Sequence, residues 1–377
     1  MQAEDIRRLF PGLQNTIYLN TATMNVGCAP AREAYERALE RWSAGRFDWA
    51  EAELAGEELA GEDARAMFAE IVGCTAGEIA IVPAVSAAAG IVAANMPAAE
   101  RGENVVVAEN EFASNYYSWL LLQERGYDVR AVAPGGEGVS AEEFERTADG
   151  GTRLIAVSAV SSANGYRADL NAIGQIARNS GAWFFVDACQ AAGAVPLDVV
   201  RAGVDFLAAA SHKFLLGSRG TGYLYVRREL LDALHPVGPG WKAARKPAES
   251  FYGPTMDLSA TASKLDTSLA WFPAMADQAA LSIFRQFGTS ALLERNSRLS
   301  LRLRDALRAQ ALSFQPSSDE NRSTIVSVQV GDTGAVAARF REANVLASVR
   351  AGRIRLAVHF YNLEEELDRV AEPIRPS

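Results

Sequence analysis

Between residues 79 and 226 the chain repeats one pattern six times, a short apolar run followed by a longer stretch. The runs are Ile79–Val82, Asn104–Val107, Leu154–Val157, Trp183–Val186, Phe206–Ala209 and Gly222–Val226. Runs this short and this continuously apolar suit strands covered on both faces. Strands of that kind, separated by helical segments, pack as a mainly parallel sheet with helices on either side. In such sheets the ligand crevice lies beyond the carboxyl ends of the strands. The fourth run closes on Asp187, and the fifth is followed by Ala210-Ser211-His212-Lys213. An acid and an amine therefore fall at the edge where a ligand is expected.

The chain has 377 residues, long for a single hydrophobic core, and 49% of them are hydrophobic, enough to bury two. The expected fold is α/β, with a mainly parallel seven-stranded sheet in a large domain over residues 15–260. A smaller α+β domain is expected from residues 1–14 plus 261–377. Its elements read as a long amphipathic helical region (Phe272–Gln310), strands at Ser323–Val330, Leu346–Ala351 and Arg353–His359, and helices at Thr333–Glu342 and Leu363–Ala371. Residues 30–72 read as mostly helical, with Pro30 at a helix start. The Pro- and Gly-rich stretch 236–256 reads as a loop.

The net charge of −9 argues against nucleic acid or an anionic membrane as the main partner. No apolar run reaches the ~18 residues of a membrane span. The acidic N-terminus lacks a signal-type apolar region. The three cysteines, Cys28, Cys74 and Cys189, form no CxxC pair. With three scattered histidines they give no metal-binding spacing, so no metal is expected. These features fit a reducing cytoplasm.

A lysine amine condenses with an aldehyde, and an aspartate can keep a pyridine nitrogen protonated. That pair is what pyridoxal 5′-phosphate (PLP) requires of a protein. Lys213 and Asp187 are accordingly the catalytic candidates. The ordered segments Val186-Asp187-Ala188-Cys189-Gln190-Ala191, Ser211-His212-Lys213-Phe214-Leu215-Leu216-Gly217, Gly220-Thr221-Gly222 and Arg355–Asn362 resemble the class V aminotransferases, within the fold-type I PLP enzymes. The resemblance spans nearly the whole chain. It implies that Lys213 carries the cofactor covalently and Asp187 pairs with its ring nitrogen. Gln190 would meet the ring hydroxyl region, and Phe112 would stack on the ring. Relatives often place histidine at that position, and phenylalanine can carry no proton. Ser162 would lie near the ring hydroxyl, with Asn164 competing for that role. Phosphate would sit at the helix start after Val82, held by Ser86, the Ala87 backbone N–H, His212 and Ser211. Arg355 would hold the substrate α-carboxylate, with Asn20 and Thr23 as further substrate contacts. Arg353 lies on the same strand face as Arg355, and Phe47-Asp48-Trp49 could wall the pocket. Where relatives carry a Gly-Thr pair that reaches the partner subunit's phosphate, Thr267 or Ser268 stands here beside Leu269. A homodimer acting on a small amino acid is implied.

Family likeness does not choose a reaction. Desulfurases of the family carry a nucleophilic cysteine shortly before the carboxylate arginine. The run Ser348–Arg355 has none and no room for its loop. That run, and Asp266-Thr267-Ser268-Leu269-Ala270-Trp271, look more like the branch of isopenicillin-N-epimerase-like enzymes and ergothioneine-type C–S lyases. This branch includes enzymes that handle cysteine S-conjugates in antibiotic pathways. The reading is β-elimination on an S-substituted cysteine. Transamination, epimerisation, a decarboxylating reaction and a non-catalytic binding protein of the same fold stay open.

Overall fold

The computed structural model describes residues 3–48 and 62–374. A short strand, β1 (Ile17–Tyr18), precedes the helix Ala29–Ser43. Then come β2 (Ile79–Val82), β3 (Asn104–Ala108), β4 (Asp128–Val132), β5 (Thr152–Ser158), β6 (Trp183–Asp187), β7 (Phe206–Ala210) and β8 (Gly222–Val226). These seven form one sheet in the order β2-β8-β7-β6-β5-β3-β4. Only β8 runs against its neighbours. The carboxyl ends of the other six therefore share one edge, and Asp187 is the last residue of β6.

Successive residues of these strands enter two separate apolar layers, as the pleat requires. Ile79, Ile81, Val106, Ile155, Phe184, Val186, Leu207 and Tyr223 face one layer. Ala80, Val82, Val105, Leu154, Phe185, Phe206 and Leu224 face the other. Phe68 stacks on Tyr223 at 4.4 Å on the first side, and Trp119 meets Phe185 edge-on at 4.9 Å on the second. Each large side chain so buried contributes roughly 1.5–3 kcal/mol. The fold is the expected fold-type I α/β architecture. The seventh strand, β4, escapes the apolar-run reading because it is an edge strand. Of Asp128-Val129-Arg130-Ala131-Val132 only Val132 is buried, and Arg130 pairs with Asp128 at 2.8 Å.

The C-terminal part holds β9 (Phe314–Gln315), β10 (Ile325–Val328), β11 (Val345–Leu346), β12 (Ser348–Arg350) and β13 (Arg353–Ala357). Four of them make an antiparallel sheet, β12-β13-β10-β9, while β11 pairs in parallel with β1. Ile17 and Leu19 accordingly bury in the C-terminal cluster with Leu299, Val326, Leu356 and Val370. The single helical region read at 272–310 is two helices, Trp271–Phe287 and Thr289–Ala309, broken at Gly288 with φ 82°. The helix Thr333–Glu342 starts where Asp332 accepts the N–H groups of Gly334 and Ala335. The helical reading of residues 30–72 holds over Ala29–Ser43 and Glu62–Val72; positions 49–61 lie outside the described residues. No helix among the described residues is long and apolar enough to cross a membrane.

The sheet edge is tied to the C-terminal half by a buried ion pair. Asp266 accepts from Arg65 at 2.7 Å and from the Ile81 backbone N–H at 2.8 Å. Removing one member of such a pair strands the other charge away from water. Asp266→Ala is expected to lower unfolding stability by about 3–5 kcal/mol, measured by chemical denaturation. A loss within error of zero would show that the pair carries no net weight.

Candidate functional site

Asp187 is almost fully buried, at 5% exposure. Its Oδ1 accepts the Cys189 backbone N–H at 2.8 Å. Burial pushes its carboxyl up from the usual range; the charge of Lys213 and the Cys189 N–H pull the other way. Lys213 lies in the loop that follows β7, and its Nζ stands 5.8 Å from the centre of the Phe112 ring. The structure thus brings Lys213, Asp187 and Phe112 to one place at the sheet edge. Gln190 is buried there too. Its Nε2 donates to the Ala22 carbonyl at 2.9 Å, while its Oε1 is buried without a partner. Cys189 Sγ accepts the Ala210 N–H at 3.4 Å.

The helix Val85–Asn95 starts at the end of β2, on the same edge. Its cap residue, Ala84, offers no side-chain acceptor to the first-turn N–H groups. Ser86 is exposed in that first turn, and Ala87 follows it. An anion is favoured at such a terminus. His212 is half-buried, and its imidazole is pushed down to about 4 by burial, then by the charges of Lys213 and Arg219. It therefore stands neutral at ordinary pH. Ser211, expected to reach the phosphate, does not face that way. It is fully buried, and its hydroxyl packs against Gly217 and Asp277 in the interior. Its direction follows from the loop turning back on itself, which the tripeptide pattern did not reveal.

Arg355 lies on β13 at 3% exposure. Its Nε donates to Ser348 Oγ at 3.1 Å, one Nη to the Ser162 carbonyl at 2.6 Å, and the other to Thr23 Oγ1 at 2.6 Å. All three acceptors are neutral. Burial lowers its ionisation to about 10, helped by the charge of Arg350. A guanidinium held this way is aimed and, among the described residues, without an ion pair, the condition for binding a carboxylate. Asn20 bridges to Ala357 of β13, its carbonyl accepts the Thr23 N–H at 2.8 Å, and its Oδ1 is buried without a partner. Ser162 gives its carbonyl to Arg355 and lines a cavity with Glu111, Phe112 and Ser158. The amide of Asn164 is occupied with the Glu137 carbonyl and the Tyr166 N–H. Arg353 turns away to Gln329 Oε1 at 2.7 Å and so is no second carboxylate contact. Phe47 stacks on Trp271 at 5.1 Å, a packing role; Trp49 lies outside the described residues.

Three contributors went unread in the sequence. Ser348 holds Arg355. Asn25 Nδ2 donates to the carbonyls of His212 and Gly217 at 3.0 and 2.6 Å, pinning the lysine loop. Glu111 accepts from the Ser158 N–H and hydroxyl, both at 2.5 Å, and its carboxyl is pushed up to about 7 by burial. Glu111 could have been found as the acid preceding Phe112. Nothing in the pattern singles out Asn25 or Ser348.

The family model described as Aminotransferase class-V matches residues 50–370. The chain is 30% identical to the uncharacterized aminotransferase YcbU of Bacillus subtilis over 98% of this chain and 97% of that one. It is 28% identical to a probable cysteine desulfurase of Methanothermobacter thermautotrophicus, over 99% and 98%. Among solved structures it resembles a C-DES mutant with glycine covalently linked to the PLP cofactor, at TM-score 0.86 and 22% identity, covering 98% of each chain. It also resembles the cystine C–S lyase C-DES in complex with cysteine persulfide, at TM-score 0.85 and 22% identity, over 97% and 99%.

His359 packs edge-on against Phe214, one residue from Lys213, at 5.4 Å, and burial pushes its imidazole down to about 3. An unfolded histidine titrates near 6.5. The native state then binds fewer protons than the unfolded state between those values. The stability is fully present above pH 6.5 and is lost as pH falls toward 3. His359→Phe should make this acid-side decline shallower, by on the order of a few kcal/mol across the window. Denaturant titrations at several pH values check it, and parallel curves for the two proteins would refute it.

Proposed function

The chain belongs to the class-V aminotransferase family and is a PLP-dependent enzyme, and from that premise we propose that it cleaves the C–S bond of an S-substituted cysteine by β-elimination. The observation that carries this reading is the state of its thiols. The chain has three cysteines. Burial pushes Cys28 up to about 11 and Cys74 and Cys189 up to about 12. A thiol that stays protonated at neutral pH is a poor acceptor for transferred sulfur. The short hairpin of β12 and β13 turns through Ala351 and Gly352, both at positive φ, and carries no cysteine beside Arg355. Sulfur would then leave as a free thiol rather than be passed to the protein. C–S cleavage is also in keeping with the relatives named as desulfurases and as a C–S lyase.

The residues present fit the cofactor. A buried carboxyl whose ionised form lacks a counter-charge would be stabilised by a protonated ring nitrogen opposite Asp187, and the unpartnered Gln190 Oε1 suits a hydroxyl donor. Ser86, Ala87 and the free end of the helix Val85–Asn95 would take the phosphate, with His212 beside Lys213. Bound there, the cofactor supplies an electron sink for charge developing at the substrate Cα. Arg355 and Thr23 hold the α-carboxylate and fix which Cα bond faces the sink. Lys213 takes the Cα proton. Phe112 can shield a face of the ring but moves no proton. A second copy of the chain is part of this reading, with Thr267 and Ser268 exposed to meet it.

An S-substituted cysteine and water should yield thiol, pyruvate and ammonia in equal amounts. A keto acid with an aminated cofactor would indicate transamination instead, and released CO2 a decarboxylating reaction. Lys213→Ala should abolish turnover, and full steady-state activity in that variant would overturn the mechanism. Arg355→Ala should lower kcat/KM by roughly 30- to 5,000-fold, the loss expected for about 2–5 kcal/mol at a buried charge contact.

A further inference from the structure

The loop that carries Lys213 is folded around a second buried carboxyl, that of Asp277. Asp277 sits on the helix Trp271–Phe287 and is fully buried. Its Oδ1 accepts the Ser218 backbone N–H at 2.7 Å and the Ser218 hydroxyl at 3.2 Å. At the other end of the loop, the Ser211 carbonyl accepts the Gly217 N–H at 3.0 Å. The two ends are thereby closed on each other, and Lys213 rides between them. Within the loop, Leu216 takes a left-handed conformation at φ 65°, uncommon for a residue with a side chain. Gly217 has no room for a Cβ, which would come within 2.0 Å of Ser211 Oγ and 2.2 Å of Asp277 Oδ1. So the hydroxyl of Ser211 and the carboxyl of Asp277 meet over Gly217, with the Tyr223 hydroxyl close by. Ser211 Oγ, Tyr223 OH and Asp277 Oδ2 are all buried, and beyond this cluster none of the three has a hydrogen-bond partner among the described residues.

A charged group withdrawn from water in this way needs a reason. It has no ion pair among the described residues, and burial pushes it up to about 7, against the opposing pull of Ser211, Ser218 and Tyr223. Its contacts go to the lysine loop and to the β8 tyrosine that backs it. Asn25 also holds the same loop, through the His212 and Gly217 carbonyls.

We propose that Asp277 is the positioning residue for Lys213: its carboxyl clamps the Ser211–Ser218 loop from behind and thereby sets where the lysine amine stands above the ring site. This rests on Lys213 being the cofactor-bearing lysine. Asp277 touches neither cofactor nor substrate and acts only through the loop. A misplacement of about 1 Å at a reacting group can cost on the order of 100-fold in rate, so a clamp distant from the chemistry can still control it.

The test uses the cofactor-loaded protein and four variants: Asp277→Asn, Asp277→Ala, Ser218→Ala and Gly217→Ala. The readouts are the pH at which the visible absorption band titrates, the yield of cofactor fixed to Lys213 by borohydride, thermal stability, and kcat and KM for an S-substituted cysteine. Asp277→Ala should shift the titration midpoint, cut the fixed yield, and lower kcat about 100-fold with KM within about threefold. Asp277→Asn keeps an oxygen for the Ser218 N–H and should recover most of the borohydride yield and kcat. Ser218→Ala and Gly217→Ala should shift the midpoint in the same direction as Asp277→Ala, by less and by more respectively. If Asp277→Ala does not fold, the other three variants decide the matter. A wild-type midpoint and yield in the folded variants, with only thermal stability lowered, would overturn the proposal and leave Asp277 a packing residue. A wild-type protein with no visible band, and no cofactor fixed by borohydride, would instead sink the assignment of Lys213 itself.

Discussion

The charge on Asp187 is the constraint around which the rest of the site is arranged. A carboxylate at 5% exposure loses most of its hydration, and one backbone N–H does not replace it. Among the described residues no cation lies within ion-pair distance of it, and the charge of Lys213 is the one that opposes its burial. On the proposed reading the remedy would be a cationic ring nitrogen. The sheet makes this geometry available because β6 and β7 are parallel and adjacent, pairing Asp187 with Ala208. The strand that ends in the acid and the strand that leads to the lysine thus deliver both groups to one edge. A crossover helix between parallel strands is what brings residues 187 and 213 together, despite the 26 positions that separate them.

Arg355 poses the mirror-image problem on the other side of the site. Its guanidinium is fixed by three neutral oxygens, from Ser348, Ser162 and Thr23. They come from β12, from the loop after β5, and from the segment after β1. The arginine therefore exists as an aimed group only when the N-terminal segment, the large sheet and the small sheet are assembled. Among the described residues neither Asp187 nor Arg355 has an ion pair of its own. On the proposed reading the ring nitrogen would answer the first and a substrate carboxylate the second, so the site would be electrostatically complete only when loaded.

Much of this was legible in the sequence because it depends on continuous patterns. Apolar runs gave six of the seven large-sheet strands, and Asp187, at the end of one, and Lys213, in the loop after the next, do meet at one edge of the sheet. What escaped depends on tertiary placement. β4 is a polar edge strand, and its run holds a single buried residue. The break at Gly288 divides one amphipathic region into two helices, because a positive φ ends the first. Ser211 fits the phosphate role by position, yet its hydroxyl turns inward, since the loop closes through Gly217. Asn25 and Ser348 act through one hydrogen bond or two, and no periodicity or motif marks a residue that does only that.

The choice between sulfur chemistries then comes down to where a departing sulfur can go. The scaffold can supply the same early steps for transfer, elimination or transamination, since each begins with an oriented Cα and a lysine amine. Transfer to the protein needs a thiolate close to the substrate. Cys189 is the thiol nearest the pair by sequence, but it is packed under the Ala210 N–H and beside Asp187, whose charge further discourages ionisation. Cys28 is buried at the start of its helix, and Cys74 lies on the turn before β2. The hairpin that follows Ser348 is too short to bring in another group, because Arg350 already pairs with Arg353 across a two-residue turn. With no thiolate to receive it, the sulfur fragment would depart into solvent, and this is the physical ground of the elimination proposed above.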